Sequence, residues 1–113
     1  MKRVRAKRYN KLVRDGIPAL LARKGLVVVV SRLSGGKFRR ALREKLIEEA
    51  GELSKARGRK KVLNELADCS EVLRAIAKSE KVTMAAVERV RRAKLKKRGG
   101  FQRGFFLKKV QKL

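Results

Sequence analysis

Residues 42–53 read LREKLIEEAGEL, and the face this stretch presents as a helix decides how the rest of the chain is read. On a helical wheel started at Phe38 with about 100° per residue, Leu42, Leu46 and Leu53 fall at roughly 40°, 80° and 60°, one narrow apolar stripe. Glu49 falls at about 20° and Glu52 at about −40°, inside and beside that stripe. A carboxylate serving only as a solvated group would lie on the other side. Downstream, counted from Val62, the residues Leu66, Cys69, Leu73 and Ile76 gather within about 40° of zero, with Glu65 at about −60° and Asp68 at about −120°. Two successive helices are thus expected, each with an acidic pair at i, i+3, and both pairs tilt inward.

Acids are scarce elsewhere. The 113 residues include 34 Lys and Arg against ten Asp and Glu, a net charge of +24, and seven of the ten acids lie between Glu44 and Glu71. Burying a lone carboxylate is costly, so inward-facing acids must be paired or must coordinate a cation. Glu49, Glu52, Glu65 and Asp68, from two antiparallel helices, can make an oxygen cage of the kind Mg²⁺ prefers, with water or substrate phosphate completing the octahedron. The plainer alternative pairs these acids with the abundant Lys and Arg, as expected for Glu44, Glu48 and Glu71 on exposed faces.

A charge of +24 attracts polyanions and carries the electrostatic footprint of nucleic-acid binding, so RNA or another polyanion is an expected partner of the basic surface. Basic runs at 2–14, 55–61 and 89–98 would contact phosphates. With only 4% aromatic residues, such binding would be directed at the backbone rather than at the bases.

The chain has no histidine and one cysteine, Cys69, which excludes a Cys/His zinc site, an internal disulfide and any Ser-His or Cys-His nucleophile. Cys69 lies on the apolar stripe and is expected to be inert packing. Catalysis, if present, must use carboxylates, Lys, Arg, Tyr or a metal held by oxygen. The longest apolar run, Leu26 to Val30, falls far short of the roughly 20 residues that cross a bilayer. No apolar stretch follows the basic MKRVRAKRYNK, so a secretory signal is not expected and the reading is a soluble cytoplasmic protein without a membrane partner.

At this length one domain is expected, residues 9–113, preceded by a basic arm at 1–8. IPALLARKG (17–25) reads as a short helix, with Pro18 in the first turn, Asp15 as a candidate cap and Gly25 as the stop. LVVVVSRL (26–33) reads as a strand and SGG (34–36) as a break in which Ser34 is a candidate cap. A helix then runs from Lys37 to about Ala56, RGRKK (57–61) breaks the chain, and a second helix runs from about Lys61 to Lys78. Thr83 caps a third, Met84 to about Lys97, which RGG (98–100) ends. GFFLKKV (104–110) has room for a second strand beside the first. The fold class is mainly α: a helical bundle with a short N-terminal helix and two short strands at about 26–32 and 104–110.

Glu48-Glu49-x-x-Glu52, followed after twelve residues by Glu65-x-x-Asp68, resembles the E-E-x-x-E and E-x-x-D signature of the MazG-like all-α NTP pyrophosphohydrolases, which include phosphoribosyl-ATP pyrophosphohydrolase. YNKLVRDGIP (9–18), LREKLIEEAGEL (42–53) and RGGFQRGFFL (98–107) are similar, in this order, to segments of the short phosphoribosyl-ATP pyrophosphohydrolase-like, or house-cleaning NTP pyrophosphatase, subfamily. The resemblance covers nearly the whole chain apart from its basic ends.

What the resemblance implies is an all-helical, usually dimeric hydrolase in which Glu49, Glu52, Glu65 and Asp68 ligate Mg²⁺, with Mn²⁺ as a substitute. A nucleoside triphosphate would be cleaved at its α–β anhydride to a monophosphate and pyrophosphate, chemistry that needs no histidine. Glu48 lies further round the helix and would position water rather than ligate. Lys45, at about −20° on the inward face, would contact phosphate or would serve as the buried partner of Glu49 one turn along. Lys11, Arg14 and Asp15 would close over the phosphates or tie the N-terminal segment to the bundle. Arg98 and the glycines after it would let backbone amides approach an anion, or form an ordinary helix C-cap.

Three departures stand against the family pattern. Gly51 sits inside the E-E-x-x-E helix at a cost of about 1 kcal/mol relative to alanine. SGGKF lacks the acids that usually follow the serine and favour a helix N-terminus. The family is also generally far more acidic than this chain.

Overall fold

The computed structural model describes residues 5–113; positions 1–4 of the basic arm lie outside the described residues. Four helices follow in order: α1 (Ile17–Arg23), α2 (Gly35–Lys55), α3 (Arg59–Ser79) and α4 (Met84–Arg98). The mainly α class is what the apolar periodicity predicts. Among the described residues no helix is long and apolar enough to cross a membrane.

Local signals account for most of the ends. Pro18 stands in the first turn of α1, where its missing N–H costs nothing, and Gly25 beyond the helix takes φ 83. Asp15 is not the cap; that position is Gly16, without a side-chain hydrogen bond. Ser34 holds the N-cap position of α2 in extended geometry but its hydroxyl bonds no helical N–H. Thr83 does cap α4, accepting from the Ala86 N–H at 3.1 Å. Between α3 and α4 the Val82 N–H donates to the Ala77 carbonyl at 2.8 Å and the Lys81 N–H to the Lys78 carbonyl at 3.1 Å. This pair of bonds is a Schellman closure, made here with Lys81 rather than glycine at φ 58.

The two expected strands do not form: 26–32 and 104–110 are unpaired chain, and no strand occurs among the described residues. A strand needs a ladder partner and an apolar surface to lie on, and neither is present. Val27 and Val29 are accordingly almost fully exposed.

Tertiary structure is concentrated in one place, the packing of α2 against α3 as an antiparallel hairpin across the tight connection 56–58. Arg43 on α2 donates to Glu80, just past the end of α3, at 3.0 Å, closing the end of the hairpin opposite that connection. Leu42, Val72 and Ala77 are the only buried apolar residues among those described. The accessible surface is 11609 Å², where a folded monomer of this mass shows about 6,300 Å². The radius of gyration is 19.6 Å, against about 13 Å for a compact domain of roughly this length.

Gly51 lies within α2, and a Cβ built on it meets nothing within 4 Å. Gly51→Ala is therefore expected to stabilise the hairpin by about 1 kcal/mol, the helix-propensity difference alone. Urea denaturation followed by circular dichroism measures it, and an unchanged or lower midpoint would contradict the open space found there.

Candidate metal and phosphate site

The inward tilt of the acids follows from the two amphipathic stripes: turning Leu42 and Val72 into the hairpin brings Glu49 from α2 and Glu65 and Asp68 from α3 to the same seam. One carboxylate oxygen from each of the three lies within 4.8 Å of the other two. All three residues are half-buried. Glu52 is not in this group; it lies near the end of α2, beside the 56–58 connection, and is exposed, although its charge still reaches Glu65. The expectation that it faces inward with the others is corrected by that position.

Electrostatics reports the crowding. The Glu65 carboxyl is pushed above its ordinary value, first by loss of water and then by the negative charges of Asp68, Glu49 and Glu52. Cys69 is also raised, by desolvation first and by Glu49, Glu65 and Asp68 after it, so its thiol stays protonated and unreactive as expected of a packing residue.

Cations already attend the cluster. Lys45 Nζ lies 3.3 Å from Glu48 Oε2 and 3.4 Å from Glu49 Oε1, with only 16% of its side chain and 13% of that of Glu49 exposed. Of the two readings of Lys45, the buried partner of Glu49 is the geometry found. Lys11 donates to Glu48 Oε1 at 2.9 Å and Arg14 to Asp68 Oδ1 at 2.7 Å. These contacts span 37 and 54 residues and tie the N-terminal segment across α2 and α3. The Lys11 bond is the main cause that holds Glu48 below the ordinary carboxylate value, and it raises Lys11 in return. Both pairs are partly exposed and worth about 0–1 kcal/mol each. Asp15 forms no ion pair among the described residues, nor do Glu44 and Glu71, which are exposed.

The donor set is all oxygen, which suits hard divalent cations. Ligands about 2.1 Å from Mg²⁺ stand at most about 4.2 Å apart, so oxygens within 4.8 Å need only small side-chain movements. Arg14 would then share or release Asp68. The residues present therefore fit a divalent ion, without selecting among Mg²⁺, Mn²⁺ and Ca²⁺.

The basic run 55–61 adjoins the cluster. Lys55, Lys60 and Lys61 line an open concavity of about 890 Å³ together with Glu52 and Glu65. RGRKK reads along the chain as a helix break, yet α3 begins at Arg59, so Lys60 and Lys61 stand on its first turn beside the acids. The sequence marks 55–61 as a basic run suited to phosphates but does not place it beside the acids. Arg98 lies apart, lining a different concavity that shares no residue with the carboxylate cluster, and Gly99 after it takes φ 80 as the C-cap of α4. No family model, curated protein or solved structure matches this chain.

The raised Glu65 carboxyl fixes a sign. The folded state holds this proton more tightly than the unfolded chain does, so the associated stability is present at low pH and lost as pH rises through the folded value. At pH 7 the charged Glu65 is a liability, and Glu65→Gln should raise the melting temperature in the absence of divalent ions. The gain should shrink as pH falls below the ordinary carboxylate value, where Glu65 holds its proton in both the folded and the unfolded chain. Mg²⁺ or Mn²⁺ should raise the melting temperature of the wild type more than that of the variant. Differential scanning fluorimetry with and without metal measures all three, and a variant that melts lower at pH 7 without metal would contradict the crowding.

Proposed function

We propose that this chain is a divalent-metal-dependent nucleoside triphosphate pyrophosphohydrolase, cleaving the α–β phosphoanhydride to give a nucleoside monophosphate and pyrophosphate. The observation that carries the reading is the convergence of Glu49, Glu65 and Asp68 from two helices, oxygens within 4.8 Å, in a chain of net charge +24. Lys45 and Arg14 offset Glu49 and Asp68, while Glu65 has no ion pair among the described residues and carries the crowding, so a divalent cation is a natural occupant of the seam. The resemblance of YNKLVRDGIP, LREKLIEEAGEL and RGGFQRGFFL to house-cleaning pyrophosphatases supports the same reaction.

In this reading Glu49, Glu65 and Asp68 hold Mg²⁺ or Mn²⁺, with Glu52 adding negative charge from the exposed margin of the cluster. A bound ion there supplies Lewis acidity and neutralises phosphate charge. Lys55, Lys60 and Lys61 bind the outer phosphates of the substrate across the concavity they share with Glu65. Lys45 holds Glu48 and Glu49 in orientation, leaving Glu48 to accept a proton from the attacking water once Lys11 swings away. Arg14, freed from Asp68, is placed on the same side to meet phosphate.

The working form is proposed to be a homodimer. Ile47, Leu63, Leu66, Leu73 and Val90 are all largely exposed on the helices, and the surface is nearly twice that of a compact monomer. A second copy covering the hairpin would complete a four-helix core. Sedimentation equilibrium should find a species of twice 12.8 kDa that dissociates on dilution; a monomer at every concentration would remove this part of the proposal.

Activity is tested by pyrophosphate release over common and modified nucleoside triphosphates, with and without Mg²⁺. Glu49→Gln and Asp68→Asn should each lower turnover on the order of 10³-fold or more, since each removes a charge that holds the ion. Both should also weaken Mn²⁺ binding read by electron paramagnetic resonance. Protein that binds no divalent ion and releases no pyrophosphate from any nucleotide would sink the reading.

A further inference from the structure

The chain has five aromatic residues, and three of them, Phe101, Phe105 and Phe106, fall within six positions. Their exposures are 99%, 81% and 85%, so all three rings stand in water. The same region is a run of one sign: from Arg89 to Leu113 there are eleven Lys and Arg and no Asp or Glu. Such a segment gains nothing from the fold that carries it.

Its backbone is arranged. Gly99 takes φ 80 at the end of α4 and Gly104 takes φ 63, and the Gly104 N–H donates to the Phe101 carbonyl at 3.1 Å, closing a turn. The turn sets Phe101 and Phe105 with Arg98 and Arg103 around an open concavity of about 800 Å³. The Arg103 guanidinium lies 4.6 Å from the centroid of the Phe105 ring, so cation and ring face outward as one unit.

We propose that residues 98–112 form a binding surface for single-stranded nucleic acid. Bases stack on Phe101, Phe105 and Phe106, and the backbone phosphates meet Arg98, Arg103, Lys108 and Lys109. Flat exposed rings interleaved with cations are what a single strand offers partners for, since every base has a π-face and every link a charge. A duplex hides its base faces and would use the cations alone. An anionic membrane favours cations and apolar groups sorted onto two faces of a helix, and here the chain after Arg98 is not helical and the two kinds alternate round a turn. Scarcity of aromatics in the composition therefore misleads: the few present are gathered and displayed. The proposal does not depend on nucleotide hydrolysis, which is read separately.

Fluorescence anisotropy of the full chain tests it, using labelled oligo(U), oligo(dT) and a duplex of equal length over a range of salt. The wild type should bind at least one single strand more tightly than the duplex, and the two single-strand arms show which sugar is preferred. The combined Phe101→Ala, Phe105→Ala and Phe106→Ala variant should lose on the order of 10²-fold in single-strand affinity with little change in salt slope, each ring stacking one base. Lys108→Ala with Lys109→Ala should instead flatten the slope by about 1.4, the counterion release of two phosphate contacts to a single strand. Circular dichroism confirms that helix content is kept. A triple-Phe variant that binds oligo(U) and oligo(dT) as the wild type does would overturn the proposal. So would duplex binding as tight as single-strand binding, or binding to phosphatidylserine vesicles without single-strand binding.

Discussion

The seam between α2 and α3 has to serve two opposing demands. Among the described residues it is the only extensive helix–helix packing, and it must therefore supply the apolar burial that holds the fold together. The same seam contains Glu49, Glu65 and Asp68, whose charges repel and whose hydration is reduced. Every carboxylate turned into it occupies a position that a leucine could have filled. The small core of Leu42, Val72 and Ala77 is what remains after that concession. Part of the repulsion is offset by Lys45 within α2 and by Lys11 and Arg14 from the N-terminal segment.

The N-terminal contacts link these roles. Lys11 and Arg14 take the places near Glu48 and Asp68 that a metal or phosphate would influence, so the segment 9–18 and a ligand draw on the same carboxylates. Because both ion pairs are partly exposed and individually weak, exchanging them for stronger ligation needs little energy. Docked in this way, the segment offsets part of the charge at Glu48 and Asp68 and leaves Glu65 without an ion pair among the described residues.

Much of the architecture could be read from residue order because its causes are local. Apolar spacing on α2 and α3, proline in the first turn of α1, threonine before α4 and glycine after it each act within one or two helical turns, and the helix ends fall within a few residues of those signals. The valine run at 26–30 misleads for the opposite reason: β-branched residues favour a strand only if a partner strand exists, and that is decided elsewhere in the chain. Three of the four acids expected on the inward faces converge; Glu52 stays at the exposed margin, because a wheel gives an angle about one helix and not the distance to the other. The basic run 55–61 was legible as such, but the nearness of Lys60 and Lys61 to Glu65 depends on how early α3 starts. Lys45 and the Lys11–Arg14 pair were legible as alternatives, and only distances could choose between them.

The bare valines between α1 and α2 carry a consequence for how the protein behaves in bulk. Four successive β-branched residues with free amides and carbonyls have the makings of a cross-β stacking unit, flanked only by Lys24 and Arg32 as gatekeepers. Copies are kept apart by long-range repulsion between molecules of charge +24. That repulsion reaches about 10 Å at 0.1 M salt and about 3 Å at 1 M. Concentrated salt, or a polyanion that neutralises several molecules at once, would weaken that repulsion, so contact between copies at this segment is governed by the ionic atmosphere.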